Sequence, residues 1–186
     1  MSLTKKYEGY SSFSYLEAGK DYKSFDLADE LTRVPPYTLP LSEEDETRVR
    51  SLIDASLLVS MHEHVGVFPD KIQETPEYAR HGRMHTAFKG LAASHWDCVF
   101  DNLMDGICHI HSSSGWQWDD VLHDLGMRLC DLAHQDFVLH CQRIGDVQRA
   151  HDEGKVACVA TMEGAAMIEH DLARIDLLHG FGLRSL

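Results

Sequence analysis

The stretch Val156-Ala157-Cys158-Val159-Ala160-Thr161-Met162 decides the fold. It is apolar or small throughout and shows no alternation of polar with apolar residues. Alternation marks a strand with one wet face. Its absence over strand length predicts a strand buried on both faces, as in a parallel sheet covered by helices. Just upstream, Ile144 to Glu153 has the pattern of a short helix closed by Gly154, a residue suited to the left-handed turn after a helix. Downstream, the spacing predicts a helix from Ile168 to Gly180 that buries Ile168, Leu172, Ile175 and Leu178. Gly182-Leu183-Arg184-Ser185-Leu186 then opens another strand.

Further out the same alternation of elements continues. Trp118, Val121, Leu122, Leu125, Leu129 and Leu132 fall at helical spacing and form the clearest amphipathic helix. Ser112-Ser113-Ser114-Gly115 before it is a turn, and Phe137-Val138-Leu139 after it is a short strand. Gly90 to Ser94 is expected as a strand running into Trp96-Asp97-Cys98-Val99-Phe100. Residues 69–86, with Pro69, Pro76 and Gly82, are expected as loop or short helix. Leu57-Leu58-Val59-Ser60-Met61 is of strand length and ends at His62-Glu63-His64. Ser42 is a good N-cap for a helix whose first turn is acidic and whose apolar face carries Val49, Leu52 and Ile53. Residues 1–41 are expected as an N-terminal extension closing at Val34-Pro35-Pro36, which excludes helix there. Strand, helix, strand, helix with buried strands is the signature of an α/β fold with a parallel sheet.

Composition narrows the function. The chain has 186 residues and a formal charge of −13, with 30 acids against 17 bases. Nucleic-acid binding and docking on anionic lipid both need a basic surface, so neither is expected. No apolar run reaches membrane-spanning length, no leader is visible at the N-terminus, and a cytoplasmic location is expected. Five cysteines without a C-x-x-C pair argue for free thiols and against a disulfide framework. The cysteines read as small core hydrophobes.

Thirteen histidines raise the question of metal chemistry. Residues i and i+2 of a strand point the same way, so His62 and His64 can reach one cation from a single strand end while Glu63 turns aside. Imidazole suits Zn²⁺, Ni²⁺ or Fe²⁺. Glu163 follows the buried strand directly and has small neighbours, Gly164 and Ala165. The C-terminal rim of parallel strands is where α/β barrels build their sites. His95, beside Trp96 after the second expected strand, could line the same pocket, but like the other remaining histidines it reads as structural. His109 and His111 form a second His-x-His, in a loop context.

The segment Glu153-Gly154-Lys155-Val156-Ala157-Cys158-Val159-Ala160-Thr161-Met162-Glu163-Gly164-Ala165 resembles the part of membrane dipeptidase-type metallopeptidases that supplies a bridging glutamate. Leu172 to Arg184 resembles that family's next helix and strand start. His62-Glu63-His64 occupies the place of its first metal motif. The resemblance covers about residues 57–186 and is specific around 153–184. It implies a (β/α)₈ TIM-type barrel with two zinc ions that hydrolyses dipeptides with a metal-activated water. His62 and His64 would hold the more buried ion, and Glu163 would bridge both and serve catalysis. The family motif is usually His-x-Asp. His-x-His is the usual form in the wider amidohydrolase superfamily.

A complete barrel takes roughly 250 residues. Residues 42–186 are therefore expected to be the first part, about half, of a metal-dependent hydrolase barrel. The family's later metal histidines, late-strand aspartate and substrate-binding arginine have no positions here. Two other readings stand beside the dipeptidase. One is a metal-dependent amidohydrolase acting on a lactone, lactam or phosphoester. The other is an inactive half-barrel that works by association. Open strand edges need covering, so a homo-oligomer, a dimer, is expected.

Overall fold

The computed structural model describes residues 5–102 and 117–186. Its centre is a sheet of five parallel strands: β1 (Val59–Glu63), β4 (Cys98–Asn102), β5 (Val138–His140), β6 (Val156–Thr161) and β7 (Leu183–Ser185). A separate antiparallel pair, β2 (Gly66–Val67) and β3 (His85–Thr86), lies in the β1–β4 connection. Every residue of β6 is buried, as the missing alternation requires. β4 runs along one edge of β6 for its whole length, from Cys98 opposite Ala157 to Asn102 opposite Thr161. β5 pairs with the first half of β6, at Val156–Cys158. β7 pairs with its last residues, Ala160 and Thr161. β1 pairs with β4, with an irregular step between Ser60 and Glu63.

Helices cover both faces of this sheet. Val121 and Leu125 of α4 (Trp118–Ala133) pack with Leu178 of α6 (Ala173–Gly180) against Ala160, Met162 and Leu183. Val147 and Ala150 of α5 (Ile144–Glu153) pack on the opposite side, against Cys98, Ala157 and Val159. The α/β class and the parallel sheet are therefore as expected. Closure into a barrel is not among the contacts of the described residues.

Local chemistry explains the helix ends. The Ser42 hydroxyl accepts from Asp45 N at 3.1 Å and starts α1 (Glu43–Ala55), whose first turn carries four acids. α5 stops at Gly154, which takes φ 69° in the left-handed region. Residues 5–30 pack onto the core: Phe13 is buried, its N–H donates to Asp131 Oδ1 at 2.8 Å, and Tyr10 Oη–H donates to the same oxygen at 2.7 Å.

Several expectations need correction. Gly90–Ser94 is not a strand. It falls in α3 (Phe88–Ala93) and its cap, because Phe88 and Leu91 at helical spacing both reach the core. The last helix is shorter than Ile168–Gly180. A 3₁₀ turn at Ala166–Ile168 precedes it, and Leu172 and Ile175 are exposed while Leu178 is buried. α1 forms where expected but buries no residue, so its apolar face stays open. The loop around 69–86 contains α2 (Thr75–His81). The turn at Ser112–Gly115 lies outside the described residues.

Candidate metal centre

β1 ends on Glu63, so His62 lies in the strand and His64 one residue past it. Glu163 stands two residues after β6. All three meet at the C-terminal end of the sheet. Each offers one ligand atom, and these atoms lie within 4.8 Å of one another. His64 Nε2 is 3.9 Å from Glu163 Oε2. The His62 and His64 rings meet edge to face, with centroids 5.1 Å apart. All three side chains are exposed. Gly164, at φ 92°, turns the chain sharply after Glu163.

This donor set fits a divalent transition ion. Two imidazoles and a carboxylate are the ligand types of a three-residue Zn²⁺ site with room for further ligands. Ligand atoms around a tetrahedral Zn²⁺ stand about 3.4 Å apart, given bonds of about 2.1 Å. Exposed side chains separated by up to 4.8 Å reach that spacing with modest rotamer changes.

Beneath the cluster, two consecutive residues of β4 point to opposite faces of the sheet. Asn102 faces β1 and β6. Its Nδ2 lies 2.9 Å from His62 Nδ1 and 3.2 Å from Nε2, while its Oδ1 accepts from Thr161 Oγ1 at 2.7 Å. Asn102 and Thr161 are both buried. Asp101 faces α4. Its Oδ1 accepts from Val65 N at 3.1 Å, next to His64, and its Oδ2 accepts from Arg128 Nη2. Arg128 Nη1 also donates to Thr86 Oγ1 at 3.3 Å. Asp124, one helical turn before Arg128, is half-buried, with its Oδ2 covered. Burial pushes its carboxyl up to about 7, against the opposing pull of Arg128 and with a further push from Asp101.

The structure brings together His62, His64 and Glu163 and leaves His95 out. Because Gly90–Ser94 is helix, His95 precedes β4. It lines a cavity with Leu41, Val49, Arg50 and Ile53. His109 and His111 lie outside the described residues. Asn102, Thr161, Asp101 and Arg128 were not singled out by sequence. A polar Asp-Asn pair at the end of an apolar strand was the available signal.

Among the described residues, no helix is long and apolar enough to cross a membrane. No family model matches the sequence, and no curated protein matches it. Among solved structures the chain is similar to an amidohydrolase from Pseudomonas aeruginosa, with TM-score 0.45 and 11% identity, over 72% of this chain and 34% of that one. The chain thus spans about a third of the length of that structure. No family is shown by these comparisons.

Proposed function

We propose that the chain carries a metal centre of a hydrolase, in which His62, His64 and Glu163 hold a divalent ion. The observation that supports this is the convergence of three ligand atoms within 4.8 Å at the C-terminal end of a parallel sheet. Two neutral imidazoles and one carboxylate leave a divalent ion with net positive charge. A zinc ion bound there would polarise a carbonyl and acidify a water. His62 and His64 supply neutral nitrogen ligands from one strand end. Glu163 supplies the negative charge from another, on a loop that Gly164 lets turn toward the opening.

The finer reading is a zinc-dependent dipeptidase with a second zinc ion bridged through Glu163. It rests on the resemblance of residues 153–184. In that reading the sheet is part of a (β/α)₈ barrel, residues 42–186 are its first part, and the protein is a cytoplasmic homodimer. His62-Glu63-His64 in place of His-x-Asp favours a second reading, an amidohydrolase that opens a lactone, lactam or phosphoester. Elemental analysis of the purified chain should find zinc. His62→Ala and His64→Ala should each lower its content. Equal metal in all three proteins would sink the proposal. Turnover of a dipeptide panel against lactones and phosphoesters separates the two substrate readings.

A further inference from the structure

We propose that residues 10–30 form a strap coupled to the metal centre: when docked it fixes the backbone of His64, so strap docking and binding of a divalent cation strengthen each other. This rests on the metal reading above and deepens it.

His64 stands one residue past β1, and the residue after it is held at both backbone groups. Val65 N–H donates to Asp101 Oδ1 at 3.1 Å, and Val65 O accepts from Ala87 N at 2.8 Å. The Val65 N–H belongs to the planar peptide unit that begins at the His64 carbonyl, so its direction sets ψ of His64. A ligand on a fixed backbone is ordered before the cation arrives. A ligand on a loose backbone must be ordered as the cation binds, and affinity falls by that cost.

The Asp101 carboxylate is itself held by Arg128, and Arg128 leads to the strap. Arg128 Nη2 donates to Asp101 Oδ2, and Nη1 donates to Thr86 Oγ1 at 3.3 Å. Thr86 N–H donates to Ser12 Oγ at 2.8 Å, and Ser12 Oγ–H donates back to Thr86 O at 3.3 Å. Ser12, Thr86, Asp101 and Arg128 are all buried. A lost partner there is not replaced by bulk water, so each break leaves an unpaired group. A buried series of bonds therefore runs from Ser12 to the peptide after His64.

The strap grips the β1–β4 connection at other points as well. Ala28 N–H donates to Phe68 O at 2.9 Å, and Asp70 N–H donates to Asp26 O at 2.9 Å. Lys89 N–H donates to Glu30 Oε2 at 2.7 Å. The strap also carries strain. Phe13 holds φ 57°, a left-handed conformation uncommon for a bulky side chain. Such a conformation persists only while its surroundings impose it, here through the bonds of Ser12 to Thr86 and of Phe13 N–H to Asp131. Undocking would relieve that strain, which lowers the cost of release.

Hydrogen exchange of the unaltered chain with and without Zn²⁺ tests the coupling, together with Zn²⁺ calorimetry and Co²⁺ absorption on variants. Coupling between two sites is reciprocal, so a bound cation must tighten the strap. Zn²⁺ should slow exchange at Thr86 N–H and Ala28 N–H at least about 5-fold more than at Lys6 N–H, which bonds Gly154 O at the far end of the sheet. Ser12→Ala and Thr86→Val should each weaken Zn²⁺ binding about 5- to 10-fold. Thr86→Ser keeps the hydroxyl and should bind as the unaltered chain does. Lys23→Met removes an exposed ion pair between the strap and Glu77 and should leave affinity unchanged. Each variant is checked for native circular dichroism. Equal slowing at Thr86, Ala28 and Lys6 reports global stabilisation alone and overturns the inference. Unchanged affinity in folded Ser12→Ala and Thr86→Val, or an equal loss in Lys23→Met, overturns it too, while leaving the metal site standing. If neither Ser12→Ala nor Thr86→Val folds, the exchange comparison on the unaltered chain decides. Failure of the unaltered chain to bind either ion overturns the metal reading, and this inference with it.

Discussion

Arg128 and Asp101 form an ion pair inside the protein: Nη2 meets Oδ2 at 2.5 Å, with side chains only 4% and 2% exposed. The pair joins α4 to β4. Through Asp101 Oδ1 and Val65 N it also fixes the chain directly after His64.

Removing one partner leaves the other charge buried. Arg128→Met should therefore destabilise the fold by about 3–5 kcal/mol. The double replacement Asp101→Leu with Arg128→Met removes both charges and should recover much of that loss. Urea unfolding measures both. A small midpoint shift in Arg128→Met would show that the pair contributes little.

Asp124 makes stability depend on pH. Its folded-state carboxyl titrates near 7, above the ordinary 3.8, because burial disfavours the charge. Below the ordinary value both states are protonated and nothing is lost. As pH rises toward 7 the unfolded chain releases its proton first, so stability falls across that window. At about 1.4 kcal/mol per unit of pKa difference, the loss is on the order of 4 kcal/mol. Asp124→Asn should remove this slope, raising stability at pH 7 relative to pH 4. Thermal melts of both proteins between pH 4 and 8 test it. Parallel curves would assign the slope to other groups.

Gly182 admits no side chain. Its φ is +101°, and a Cβ there would overlap the His140 ring. His140 Nε2–H donates to Gly182 O at 3.2 Å, so the ring has little freedom to retreat. Gly182→Ala should cost at least about 2 kcal/mol, from backbone strain plus overpacking. A melting temperature within a degree of the unaltered chain would contradict this.

Glu163→Gln keeps the shape of the side chain and removes its charge. Zn²⁺ affinity should fall at least about 10-fold, as expected for loss of a charged ligand, with the circular dichroism spectrum unchanged. Retained affinity would reduce Glu163 to a loop carboxylate beside His64.

What the sequence made legible follows from how local each signal is. β6 announces itself because seven consecutive residues lack alternation, and α5 because Gly154 ends it. His62 and His64 are two residues apart, and Glu163 follows an unmistakable strand. Gly90–Ser94 misleads because a short apolar run suits strand and helix equally, and only the reach of Phe88 and Leu91 into the core decides. Leu172 and Ile175 have helical spacing yet stay exposed, since spacing does not say whether a surface will be covered. Asp101–Arg128 and Asn102–His62 join residues 27 and 40 positions apart, and no local pattern encodes such pairs.

The division of one edge of β6 between β5 and β7 has a consequence for how the chain assembles. β1 and β4 are made early and pair with each other, but the second edge of β4 stays open until β6 exists, about 55 residues beyond it. β5 can dock on β6 as soon as both are present, because only α5 separates them. β7 can dock only after α6. Folding should therefore begin as a β5–α5–β6 nucleus that recruits β4 and β1 backward along the chain and β7 forward. Amide exchange should then be slowest at Ala157 and Cys158, which β5 and β4 flank on both edges, and faster at Met162, just past the end of β6, whose N–H is held by Ser185 of the last strand at 3.1 Å.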